Sequence, residues 1–126
     1  AQLWWGVVCR GWVQEAWCGG EAGICVRGGA MCAVEPMCRT AVGSAACQTG
    51  ASVTVEAHSS IGGLGSAVSE VLAEEGIAVP FTRVGIRDCF TESGSYDQLV
   101  EHLGIGANAI EEAVRAVVKK KGGSVL

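Results

Sequence analysis

Glu56 and His58 stand two residues apart at the end of an alternating run from Ala51 to His58, a spacing that puts both side chains on one side of a strand. A histidine near the carboxyl end of such a strand can carry a proton at neutral pH, and ligands of α/β sheets gather at that end. Ser59 follows, and Ile61-Gly62-Gly63-Leu64-Gly65 then opens an apolar-periodic segment. Backbone N–H groups at a helix start attract anions, so Gly62, Gly63 and Gly65 are candidates for holding a phosphate. They do not complete a dinucleotide fingerprint, because the last small residue of that pattern, counted from Gly63 and Gly65, falls on Val68. A second reading applies to the same residues: missing side chains allow a tight turn and a close approach of helix to sheet, or of a partner subunit. On that reading His58 satisfies loop backbone or lines a subunit interface, and this is the expectation taken forward.

Glu92 and Ser93, within the polar run Glu92 to Tyr96, could form a recognition loop. Gly94 and Ser95 also suit a turn and a helix cap without any ligand. Lys119 to Lys121 could attract phosphate, but three lysines at a helix end are ordinarily solvated charge.

Seven cysteines invite a metal or disulfide reading. Six of them (Cys9, Cys18, Cys25, Cys32, Cys38 and Cys47) precede residue 50, the seventh is Cys89, and no two are spaced as C-x-x-C. The odd total and the lack of a close pair argue against both a structural zinc site and a fixed disulfide set. None is marked as a nucleophile either, since neither His58 nor His102 can be paired with a thiol from sequence. No catalytic or metal-ligating residue is therefore assigned.

The totals set the frame for these residues. A chain of 126 residues, 49% apolar and with a formal charge of -4, has the size of one domain and no basic surface for nucleic acid. No apolar run reaches the length of a membrane span, and the first residues lack the pattern of a secretory signal, so a cytoplasmic protein without a membrane or nucleic-acid partner is expected.

Composition changes near Gly50. Residues 1–50 hold all four tryptophans and most cysteines, with no lysine, aspartate, asparagine, phenylalanine or tyrosine. Three readings stand for this segment: a cysteine-rich binding segment, a loosely ordered extension, or a stretch translated out of frame through GC-rich DNA. Residues 51–126 have the composition of an ordinary α/β protein.

Within the later part the elements that must carry the candidate residues are legible. Val53 and Val55 alternate with Thr54 and Glu56, which predicts a half-buried strand over Ala51 to His58. Leu64, Val68, Val71 and Leu72 recur at helical spacing, and Gly76 supplies a stop. Pro80 marks the entrance of a strand from Phe81 to Ile86. Ser95 and Gln98 predict a capping box for a short helix through His102, and Ile110, Val114, Val117 and Val118 a final helix from about Asn108 to Lys120. Strand, helix, strand makes a crossover unit and favours parallel pairing.

In order, "TVEAHSSIGGLGSAVSEVL", "RVGIRDCFTESGSYDQLVEHLGI" and "AIEEAVRAVV" resemble the C-terminal domain of transketolase, especially the C-terminal subunit of two-part bacterial and archaeal transketolases. The resemblance covers about residues 51–120. The Lys-Pro-(Leu/Ile)-Asp turn of the family is missing upstream, where the cysteine- and tryptophan-rich half stands instead. The resemblance implies a three-layer α/β/α domain with a mainly parallel sheet, incomplete towards its N-terminal side. It also implies service to an enzyme that transfers a two-carbon ketol unit between sugar phosphates, using thiamine diphosphate and a divalent metal such as magnesium. In the family both are bound by the N-terminal and middle domains or by a separate subunit, so the partners are those domains and a homo- or hetero-oligomer is expected. The chain alone should be inert, and Glu56, His58, Ser59, Gly62, Gly63, Gly65, Glu92 and Ser93 become loop or interface candidates. The alternatives are a stand-alone cysteine-rich binding module and a truncated or frame-damaged product without activity.

Overall fold

The computed structural model describes residues 3–9, 25–31 and 35–123. The readings placed on Cys18, Cys32, Trp12 and Trp17, and on the side chains of Cys9, Cys25, Trp4 and Trp5, lie outside that description.

Four strands and four helices are described: β1 (Leu3–Cys9), β2 (Cys25–Met31), α1 (Arg39–Thr49), β3 (Ser52–Ser59), α2 (Leu64–Glu74), β4 (Phe81–Ile86), α3 (Tyr96–His102) and α4 (Ala107–Gly123). The strands pair in the order β2-β1-β3-β4, all parallel. Trp5 stands opposite Ser52 and Val8 opposite Val55, while Ser52 and Val55 in turn face Phe81 and Val84. Parallel neighbours cannot be joined by a tight hairpin, and α2 supplies the crossover from β3 to β4.

Two apolar clusters, one on each face of the sheet, hold the layers together. On one face Val53, Val55 and Val84 pack with Ile105, Ile110, Val114 and Val117 from α4 and the loop before it. On the other, Val42, Ala45 and Ala46 of α1 pack with Leu64, Val68, Val71 and Leu72 of α2. The result is a three-layer α/β/α arrangement around a parallel sheet.

β3 departs from the half-buried strand its alternation suggests: Ser52, Thr54 and Glu56 are buried as well as Val53 and Val55. A parallel strand between two helical layers has no solvated face, and the alternation here separates two different cores rather than core from water.

The helices follow their stop signals. α2 gives way at Glu75, and Gly76 takes φ +67°, a left-handed conformation that glycine adopts without a Cβ penalty. Gly104 does the same after α3. The expected capping box of α3 is not formed, since Ser95 takes the N-cap position without a side-chain hydrogen bond.

α1, which no sequence signal announced, is fastened at both ends. At its start Arg39 meets Glu74 at 2.6 Å and Glu75 at 3.0 Å, which binds it to the end of α2. Hydrogen bonds to Glu74 and then Glu75 raise the Arg39 pKa above its already high ordinary value, so the guanidinium keeps its charge. At its end Lys121 of α4 donates from Nζ to the Thr49 carbonyl at 2.7 Å, the interaction expected of a cation at a helix C-terminus.

Candidate functional site

The carboxyl end of β3 brings most of the candidate residues together, and Glu56 decides what they can do. Its side chain is 3% exposed and turns under the first turn of α2. There Leu64 N–H donates to Oε2 at 2.8 Å and Gly65 N–H to Oε1 at 3.1 Å. The free N–H groups of a helix start carry partial positive charge, and a carboxylate meets both their hydrogen-bonding and their electrostatic demand. The anion that the glycine loop seemed built to hold is thus supplied by the chain itself.

This arrangement requires small residues around it. A Cβ on Gly63 would strike the Glu56 carboxylate, and one on Gly65 would lie 2.6 Å from Arg83 Cδ and 2.8 Å from Thr54 Oγ1. Gly85, on the neighbouring strand, leaves room for the Glu56 stem, with a Cβ there falling 2.9 Å from Cγ. Gly62 has a different reason, since its φ of +71° is left-handed.

The loop between β3 and α2 is closed by its own polar groups. Ser59 Oγ accepts from Ile61 N–H at 3.2 Å, and Ser66 Oγ accepts from Gly62 N–H at 3.0 Å while donating to the Ser60 carbonyl at 3.1 Å. Arg83 reaches across from β4 and donates from Nη1 to the Ser60 carbonyl at 2.9 Å and to Ser66 Oγ at 3.1 Å. Ser60 N–H donates to the Ile86 carbonyl at 2.8 Å, which ties the ends of β3 and β4 together. Two buried hydroxyls, Ser52 Oγ and Thr54 Oγ1, have no hydrogen-bond partner among the described residues.

His58 does not share the fate of Glu56. Between the pairs Val55–Val84 and Ser59–Ile86 the strand β3 advances four residues while β4 advances two. That irregularity breaks the alternation, and Ala57 and His58 are exposed. Glu92 and Ser93 lie on an exposed loop after β4. Cys38, Cys47 and Cys89 are free and exposed, and among the described residues no cluster of His, Cys, Asp or Glu could hold a metal ion.

Ser60, Ser66, Arg83 and Gly85 complete the site and were not singled out by sequence. A lone glycine inside a strand pattern signals close approach of another group, and Gly85 carried that signal. Arg83 and the serines carried none, because their partners come from another strand and a folded loop.

A parallel sheet covered by helices on both faces, with its loop–helix junction closed by a strand carboxylate, places the chain in the α/β class. The chain belongs to the transketolase C-terminal domain family, whose model, described as transketolase, C-terminal domain, matches residues 16–110. The 6-deoxy-6-sulfo-D-fructose transketolase subunit of a Clostridium species is 48% identical over 88 residues, which span 70% of this chain and 27% of that protein. A putative transketolase C-terminal section from Methanocaldococcus jannaschii is 44% identical over 69 residues, 55% of this chain and 22% of its own length. The 1-deoxy-D-xylulose-5-phosphate synthase of Bordetella pertussis is 42% identical over 83 residues, 66% of this chain and 13% of the synthase. Among solved structures, a split-gene transketolase described as an inactive β4 tetramer superposes with a TM-score of 0.84 at 36% identity, over 94% of this chain and 40% of that one. The chain spans only about a quarter of the first of these curated relatives, 27%, and smaller shares of the other two, 22% and 13%.

Proposed function

We propose that this chain is the assembling C-terminal part of a thiamine diphosphate-dependent transketolase, which transfers a two-carbon ketol unit between sugar phosphates. The observation that carries the proposal, beside the family, is the Glu56 carboxylate on the N–H groups of Leu64 and Gly65. A diphosphate placed at the same helix start would meet that carboxylate instead of free donors, so these residues do not fit the cofactor. Thiamine diphosphate and its magnesium ion belong, on this reading, to the N-terminal and middle domains or to a separate subunit.

Each candidate residue then has a share in assembly. Glu56, Gly62, Gly63 and Gly65 hold the loop in one shape, while His58, Ser59, Glu92 and Ser93 lie on or beside the surface that meets the rest of the enzyme. The domain takes in residues 51–126 together with β1, β2 and α1 from the compositionally distinct residues 1–50. No described helix is long and apolar enough to cross a membrane, and we place the enzyme in the cytoplasm.

The names of two relatives support a partner on a separate chain: one is a transketolase subunit and another a C-terminal section. Reconstitution tests the proposal. The chain is mixed with the polypeptide of its source organism that carries the thiamine-binding domains, and ketol transfer and co-migration are measured. Activity that appears only in the mixture supports the assignment. A chain that never associates with that polypeptide rules out the assembling role.

A further inference from the structure

Twelve consecutive residues, Arg87 to Gln98, are exposed where β4 ends and α3 begins. Phe90 in their midst is 103% exposed and Tyr96 is 66% exposed. Ile61, 61% exposed, stands on the neighbouring loop after β3, which the Ser60 to Ile86 hydrogen bond holds beside the end of β4. Among the described residues these are the large exposed apolar side chains: Ile61 follows β3, Phe90 follows β4, and Tyr96 opens α3 at the end of the same exposed segment. Single exposed apolar residues need no explanation, but a grouped set rimmed by charge marks a binding surface.

The rim has one sign. Asp88, Glu92 and Asp97 alternate with Phe90 and Tyr96, against the single guanidinium of Arg87, for a net of -2 over Arg87 to Gln98. None of these three carboxylates takes part in the ion pairs of the described residues, which involve Arg39 and Arg115 with glutamates of α2 and α4. A twofold contact of this ridge with its own copy would set acid against acid, which disfavours a second copy as occupant.

We infer that the ridge formed by Ile61, Phe90 and Tyr96, with Asp88, Glu92 and Asp97 as its rim, docks onto a basic, apolar-lined surface of the polypeptide that carries the thiamine-binding domains. The inference rests on the assembly reading above and names the face and the chemistry that reading leaves open. Phe90 is the anchor, because an aromatic ring without any cover in the free chain gains most from a pocket. The carboxylates steer the approach and set its dependence on salt.

Binding of the purified chain to that polypeptide, followed by titration calorimetry at low and high salt, tests it, with circular dichroism confirming that each variant is folded. Phe90→Ala and the triple variant Asp88→Lys, Glu92→Lys, Asp97→Lys should each weaken binding about tenfold or more. Raising salt should weaken the wild type and not the triple variant. Lys119→Glu, at the far end of α4, should bind as the wild type does. Wild-type binding that both ridge variants retain overturns the inference and leaves the assembly reading standing. No wild-type binding overturns both, and a ridge-dependent self-association in place of binding overturns the choice of occupant.

Discussion

The carboxylate of Glu56, buried on β3, accepts the backbone N–H of Leu64 at 2.8 Å and so joins the central sheet to the start of α2. Its second oxygen takes the N–H of Gly65. One strand residue thus caps a helix eight positions away in sequence, in the place where Ser, Thr or Asp of the helix itself would ordinarily do so. Gly63, the N-cap residue, has no side chain to offer.

Replacing Glu56 should therefore cost stability out of proportion to an ordinary polar substitution. Glu56→Gln keeps the shape but turns an amide group towards a donor and removes the charge, and about 1–3 kcal/mol should be lost. Glu56→Ala should cost more, since it leaves two buried donors and a cavity. Urea unfolding midpoints measure both, and a loss below about 0.5 kcal/mol, the range of surface substitutions, for Glu56→Ala would remove Glu56 from the cap.

The two neighbouring glycines should respond differently. Gly62→Ala meets open space and bears only the strain of a left-handed φ of +71°, about 1–2 kcal/mol. Gly63→Ala places a methyl group against the Glu56 carboxylate and should cost more than about 2 kcal/mol by displacing the cap. The order of the two in thermal or urea unfolding is the check.

Thr54→Val should run the other way. The hydroxyl is buried without a partner among the described residues, and valine has nearly the same shape. Removing an unpaired polar atom is neutral to stabilising, so a gain of up to about 1 kcal/mol is expected, read again from the urea midpoint.

β3, α2, β4 and α4 were legible because their apolar residues repeat at the period of the element that forms. The stripe of α1, Val42, Ala45, Ala46 and Thr49, has helical spacing too, but small side chains and a glycine at 43 give it little contrast. β1 is a continuous apolar run, which carries no alternation to mark it as a strand. At the site, the glycine loop was visible. The cap by Glu56 and the turn of His58 into solvent were not, because each depends on how β3 meets a second element: α2 in one case, and the irregular pairing with β4 in the other.

Limited proteolysis should reflect the same packing. A protease of broad specificity should cut first within the exposed segment from Arg87 to Gln98. No early cut should fall between α1 and β3, because Val42, Ala45 and Ala46 are buried against α2. Mass mapping of the fragments distinguishes this from a cut near Gly50, which would divide the chain where its composition shifts.

We propose that the chain supplies assembly while the thiamine chemistry resides in its partner. Titration of thiamine diphosphate with magnesium into the isolated chain, and then into its complex with the thiamine-binding polypeptide, tests this most directly. Saturable binding by the complex alone is the predicted result. Tight binding by the isolated chain would contradict the account.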